Sequence, residues 1–379
     1  MKVLYLTEAY SPHDRRFVRA MVDLGHQVLY LPWRGHPRHR PSDLPKDVVW
    51  TSTPGPLTPS RAPRWLRALT RVMEDVAPDV IHAGPLPWGP LGPALLRWSP
   101  LISMSWGFDL LWHGPRKPWL AALMRWVLRR STLLLADCRA VAVQAMRWGM
   151  PWKRIVLFPW GTDLDVFSPG SEKDFHTSWG WSEDVFVWVH ARTWSRYYGA
   201  DTTLLGFLQA WREEPRLRLL FLGGGPLESW IRRTVARFHA QDVVRIVGRV
   251  PEEALARYFR AADGYVSMSH SDGSSVTLMQ ALATGLPAVV SDIPGNREWV
   301  TPGVEGYLVP VGDPHTLART LVRVARLPQE ARQRMARAAR RRAEEQANWE
   351  AHIQMLDRAY RWAVELGGAC LRDKQGNGK

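Results

Sequence analysis

Cysteine is almost absent from this chain. Cys138 and Cys370 stand far apart among 379 residues. They offer neither a disulfide framework nor a zinc ligand set, so a reducing cytoplasm is the expected compartment. Long apolar runs are missing too: none reaches the roughly 18–20 residues needed to span a bilayer. The opening MKVLYLTEAY has no basic stretch followed by a long apolar one and no small-residue cleavage site. It reads as a first strand, not a signal peptide. Glycine is absent from Thr7–Phe17 (TEAYSPHDRRF), directly after that strand. This excludes the dinucleotide fingerprint, whose glycines let backbone N–H groups approach a pyrophosphate. The later Gly223-Gly224-Gly225-Pro226 lies between a strand and a helix but lacks the Lys-Ser/Thr of a P-loop. Acids and histidines nowhere gather at ligand spacing, so no metal is expected.

Positive charge and tryptophan are in excess, at +14 net and 21 residues. Basic charge attracts nucleic acid, anionic lipid or acidic small molecules, and tryptophan favours membrane interfaces. An Arg- and Trp-rich genome composition accounts for both equally well. No recognition-helix, OB or RRM signature accompanies the charge, so nucleic acid is not an expected partner.

A single core rarely grows past roughly 250–300 residues, so two domains are expected. Strands and helices alternate along the first half. Strands are predicted at Val3–Thr7, Val28–Pro32, Val48–Thr51, Val80–Ala83, Leu101–Ser105, Leu133–Ala136 and Ile155–Phe158. Helices are predicted at Arg15–Leu24, Arg64–Val76 and Trp119–Arg130, with Pro- and Arg-rich loops from Pro32 to Pro63. The segment Pro159–Gly170 (PWGTDLDVFSPG) is dense in Pro, Gly and Asp and approaches a boundary. The alternation then restarts at Val185–Ala191 and ends in helices at Pro314–Arg326, Gln329–Gln346 and Trp349–Leu366. Such a series implies mostly parallel sheets covered by helices.

The informative region is Gly264–Gly306, GYVSMSHSDGSSVTLMQALATGLPAVVSDIPGNREWVTPGVEG. A strand ends at Ser267–Ser269, a loop follows, and a helix opens near Ser275. Gly273, Ser274, Ser275 and Val276 expose backbone N–H groups at a helix N-terminus, which suits a pyrophosphate. Gln280 shares a helix face with Val276 and Ala283. Taken alone, Asp272 also fits a plain Asp-Gly turn and Gln280 a half-exposed helix residue.

Here the sequence resembles glycosyltransferase family 4, the group 1 transferases, over nearly the whole chain. The family's donor motif is a pair of glutamates with seven residues between them. Asp272 and Gln280 stand at those positions, followed in register by ALATGLP, then DIPGNRE and GVEGYLVP. The resemblance implies that Asp272 meets the transferred sugar and Gln280 the ribose. Losing the second charge weakens bonds to ribose hydroxyls by roughly 1 kcal/mol each. A Glu at 280 is therefore expected to preserve or raise donor affinity. Arg192 matches the family's diphosphate-binding Arg, while Tyr198 before Gly199 replaces its Lys. Arg196 is a candidate substitute cation or a solvated surface Arg. Gly248 and Arg249 complete the implied donor set.

In the first half, Asp79–Gly84 (DVIHAG) matches a strand-to-loop motif of the family. Trp106-Gly107-Phe108-Asp109 occupies the place of its His-Gly-x-Asp. Trp106 removes a proton relay from that position. Asp109 remains as a catalytic candidate beside Arg192 and Asp272, or else as a helix cap. His82 is an acceptor contact or a satisfied core histidine. His13, Arg15 and Arg16, where relatives have a glycine loop, are further candidate acceptor contacts.

The resemblance implies a GT-B α/β fold: two Rossmann-like domains facing across a cleft, with the last helix crossing back to the first. Residues 1–165 are the expected acceptor domain, 166–348 the nucleotide-sugar donor domain and 349–379 the crossover helix. The implied reaction is retaining transfer of a hexose, from a UDP-sugar as first choice, to a hydroxyl of a lipid-linked or polysaccharide precursor. No metal or other cofactor is implied. A donor-binding pseudoenzyme and a sugar-nucleotide epimerase stay open as alternatives. Two Arg-, Trp- and Leu-rich segments, Arg64–Arg71 and Arg116–Arg130, lie in the acceptor half. In the second, Leu120, Leu123, Met124 and Val127 form one face, with Lys117, Arg125, Arg129 and Arg130 around it. That pattern fits a core helix with a solvated basic edge, or else peripheral contact with an anionic inner membrane face.

Overall fold

The computed structural model describes residues 1–34, 40–51, 58, 60–172 and 174–376, the side chains of Pro12 and of 368–376 excepted. Parts of the Pro- and Arg-rich stretch and the last three residues of the expected crossover helix lie outside the described residues. The chain forms two compact units. One comprises Met1–Phe158 with the segment from Ala351 onward, the other Pro159–Glu350.

The first unit holds a seven-stranded sheet. Its strands are β1 Lys2–Thr7, β2 Gln27–Pro32, β3 Val49–Trp50, β4 Val80–Ala83, β5 Leu101–Met104, β6 Leu133–Ala136 and β7 Ile155–Leu157. They run parallel in the order β3-β2-β1-β4-β5-β6-β7. β4, β5 and β6 are buried at every position. Helices on both faces impose this, which is why β6 reads as an unbroken apolar run, while β4 and β5 each carry one polar residue, His82 and Ser103, buried with the rest. Among the described residues of this unit, two helices of eight or more residues escape the sequence pattern, Trp88–Leu95 and Arg139–Arg147. The first, WGPLGPAL, carries two Pro and two Gly and is buried from Gly89 to Ala94, so it shows no amphipathic stripe. The last helix, Trp349–Gly376, packs Leu356, Ala359, Tyr360 and Ala363 into this unit's interior.

The second unit holds six parallel strands. They are β8 Phe186–Ala191, β9 Leu217–Leu222, β10 Val244–Gly248, β11 Gly264–Ser267, β12 Ala288–Ser291 and β13 Gly306–Val309, ordered β10-β9-β8-β11-β12-β13. β13 was hidden in sequence by its short, Gly-led GYLV. A four-residue helix, Pro294–Arg297, lies between β12 and β13. In each sheet the strand order reverses once, between β1 and β4 and between β8 and β11. Ligands of such sheets bind beyond the carboxyl ends of the strands at that reversal.

Candidate active site

In the second unit, Arg192 follows β8 and Asp272 lies in the loop after β11, so the two flank the reversal. Their side chains form an ion pair, Arg192 Nη2 to Asp272 Oδ2 at 2.5 Å, with 11% and 13% of each exposed. Arg192 Nη1 donates to Ser275 Oγ at 2.9 Å. The guanidinium also lies 4.3 Å from the centre of the Tyr198 ring, so the residue replacing the family's Lys supports this Arg by a cation–π contact. Arg192 Nε is buried and has no hydrogen-bond partner. Burial pushes the Asp272 carboxyl upward, and Arg192 and the Gly273 N–H work against that shift.

Ser275 caps the helix Val276–Ala283 through its Oγ, which accepts from the Leu278 N–H. One hydroxyl thus links the helix N-terminus to the arginine. Four neighbouring loops are stitched together beyond the strand ends. Trp194 N–H donates to the Gly224 carbonyl, Gly223 N–H to that of Gly248, and His270 N–H to that of Tyr197. Gly199 is required here: it has φ +61°, and an added Cβ would lie 1.8 Å from the Met268 carbonyl oxygen. Arg249 lies against Gly224, its Nε 3.0 Å from where a Cβ would stand. The Gly223–Gly225 loop, too weak a signal alone in the sequence, therefore belongs to this group. Arg196 is exposed on the loop after β8.

Gln280 is 4% exposed. Its Nε2 donates to Glu252 Oε1 at 3.3 Å, while its own Oε1 is buried without a partner. Glu252 opens the helix Glu252–Arg260 after β10, and nothing in its sequence context marks it. Its contact with Gln280 arises only in the folded unit.

In the first unit, Asp109 is 1% exposed. It accepts from the N–H groups of Leu110 (2.7 Å), Leu86 (3.0 Å) and Trp106 (3.3 Å) and from Ser105 Oγ (2.5 Å). Burial nonetheless pushes it up to about 6. Its oxygens are spent on holding the loops after β4 and β5. Trp106 is half-buried and its ring sits 5.7 Å from that of His13. Arg15 pairs with Asp43 at 3.7 Å, and Arg16 is half-buried on the same helix, Pro12–Asp23.

His82 is not an acceptor contact. It is 0% exposed, its Nδ1 lies 2.8 Å from the Tyr360 hydroxyl, and burial pulls it down to about 3, so it is a neutral core histidine. Asp14 between His13 and Arg15 also turns inward, closing a capping box with Ser11 and accepting from the Tyr5 hydroxyl at 3.0 Å. The apolar stripe of Pro118–Arg130 is core as well: Leu120, Met124, Val127 and Leu128 are buried. Trp119 remains 59% exposed, and Lys117, which precedes the helix, and Arg125, Arg129 and Arg130 along it are exposed as well. Among the described residues no helix is long and apolar enough to cross a membrane.

Residues 171–342 match the family model described as glycosyl transferases group 1, and residues 13–166 match that described as glycosyltransferase family 4. The D-inositol 3-phosphate glycosyltransferase of Thermobifida fusca (strain YX) is 29% identical over 242 residues, 61% of this chain and 55% of its own length. The chain spans about half the length of the curated relatives it matches. Among solved structures, Anabaena HepE in complex with UDP aligns with a TM-score of 0.77 at 15% identity, covering 94% of this chain and 99% of its own. Sucrose-phosphate synthase from Thermosynechococcus elongatus aligns with a TM-score of 0.77 at 18% identity, covering 95% and 98%. At these identities the likeness shows the fold.

Proposed function

The chain belongs to the group 1 glycosyltransferases of family 4 and has the GT-B fold, and from that premise we propose that it transfers a hexose from a nucleotide diphosphate sugar to a hydroxyl acceptor with retention at the anomeric carbon. The observation that carries this reading is the Arg192 guanidinium hydrogen-bonded to the Ser275 cap of a helix at the strand-order reversal. A leaving diphosphate gathers negative charge as the glycosidic bond breaks. A fixed cation beside a helix N-terminus stabilises that charge without reorganisation during the reaction. On this reading Arg192 meets the diphosphate and Asp272 orients the transferred sugar. The Gly273–Val276 backbone approaches the phosphates, Arg249 and Gly248 border the nucleoside, and no resident metal takes part. Asp109 is a positioning residue that fixes Trp106 and its loop.

The acceptor side rests on the first unit. His13, Trp106, Arg15 and Arg16 lie on or beside the segments following β1 and β5, and an aromatic and basic surface there suits a sugar-bearing acceptor. We place that acceptor on the inner membrane face as a lipid-linked or polysaccharide precursor. The exposed Trp119 and its neighbouring cations support this placement. With the apolar stripe of their helix committed to the core, contact would be made by tryptophan and charge.

A thermal-shift screen of UDP-, GDP- and ADP-sugars tests the donor, because a specific ligand stabilises by RT ln(1 + [L]/Kd). It starts with UDP-glucose, since HepE was solved with UDP. Transfer to a glycoside acceptor with an unchanged anomeric configuration is the expected result. Binding without transfer or donor hydrolysis would make the chain a pseudoenzyme. Interconversion of free donors would make it an epimerase.

A further inference from the structure

Gln280 stands where the donor reading puts the ribose, and a carboxamide is poorly equipped for that task alone. A carboxylate offers two acceptor oxygens to the two hydroxyls of a ribose, whereas a carboxamide offers one. In this chain the missing acceptor lies within reach. Gln280 Nε2 donates to Glu252 Oε1 at 3.3 Å, which fixes the amide orientation, since a carboxylate only accepts. The amide oxygen is thereby turned away from Glu252 and left buried without a donor. A buried acceptor of this kind is costly until a hydroxyl reaches it.

We infer that Glu252 and Gln280 together form the ribose-binding pair, Gln280 Oε1 accepting from one hydroxyl and Glu252 from the other. The pair divides between two helices the acceptors that one glutamate would supply. Glu252 sits on the first turn of its own helix after β10, beside the Gly248 and Arg249 segment. This placement rests on the donor reading of the second unit. It also reverses the effect expected of Gln280→Glu: a second carboxylate at 3.3 Å from Glu252 loses the amide's donated hydrogen bond and brings like charges together.

The test is calorimetric titration of the full chain with UDP, 2′-deoxy-UDP and inorganic pyrophosphate, GDP and ADP replacing UDP if either binds more tightly. Glu252→Gln should weaken UDP binding about tenfold and leave pyrophosphate binding unchanged. Its effect should shrink toward 2′-deoxy-UDP, which lacks one hydroxyl. Gln280→Glu alone should also weaken UDP binding, and the double variant, which exchanges the two groups, should restore it to within about threefold. Wild-type affinity for UDP in Glu252→Gln, or failure of the folded double variant to recover, overturns the shared site while leaving the donor reading standing. Failure of every nucleoside diphosphate to bind the wild-type chain overturns the donor reading and this inference with it.

Discussion

Asp109 in the first unit and Asp272 in the second occupy comparable places, each just past a central strand and each held upward in pKa by burial. Their partners differ in kind. Asp109 is held by three backbone N–H groups and a serine hydroxyl. Asp272 is held mainly by one arginine side chain. Backbone donors belong to the path of the chain and have no other partner to turn to. A guanidinium on a side chain exchanges a carboxylate for a phosphate with little backbone movement, and its fork fits either anion. The same buried acid therefore braces the architecture in one unit and, on the proposed reading, takes part in an exchangeable charge site in the other.

The sharpest way to break this comparison is Arg192→Ala. It leaves Asp272 buried without its cation and should cost about 3–5 kcal/mol of stability. Nucleoside diphosphate binding should weaken by roughly 1.5–3 kcal/mol. The double variant Arg192→Ala/Asp272→Ala should regain most of the stability but none of the binding. Denaturant unfolding and calorimetry separate the two effects, and unchanged nucleotide affinity would remove Arg192 from the site.

Asp109→Ala should behave in the opposite way. Four donors lose their acceptor, so stability should drop by about 3 kcal/mol while nucleotide affinity is retained. A fall in nucleotide affinity without a fall in stability would contradict the bracing role. The pH dependence has a defined sign. Burial raises the folded-state value of Asp109 from 3.8 to about 6. Between those values the folded state binds more protons than the unfolded state, so its stability falls as pH rises from about 4 to about 6 and then levels off. Asp109→Asn removes that titration, and its unfolding profile should be flatter across the same window.

The smallest effect concerns the surface of the first unit. Reversing Arg125, Arg129 and Arg130 should weaken co-sedimentation with anionic vesicles by about 1 kcal/mol per residue at low salt, and less as salt rises. Neutral vesicles should not bind. Equal recovery in the supernatant with both vesicle types would point to a soluble acceptor.

Much of this architecture was legible in the residues. The strand run Leu133–Ala136 coincides with β6 because a parallel strand buried on both faces is continuously apolar. Arg192, Asp272 and Gln280 stood out as candidates through the resemblance to the family's donor motif, while the helix N-terminus beside small residues at Gly273–Val276 has a local signature of its own. The helix Trp88–Leu95 was not, since its Pro and Gly conceal a periodicity that complete burial makes unnecessary. His82 was open to two readings, because a histidine on a strand looks the same whether a tyrosine from the far end of the chain covers it or not.

The sequence by itself determined the alternation of elements, the parallel sheets and the family motif, since all of these depend on near neighbours along the chain. Tertiary structure alone decided that His82 is covered by Tyr360, that the Pro118–Arg130 stripe faces the core, and that Glu252 meets Gln280. Those outcomes join residues 278, tens of, and 28 positions apart. Burial and hydrogen bonding at such separations are properties of packing, which no local pattern encodes.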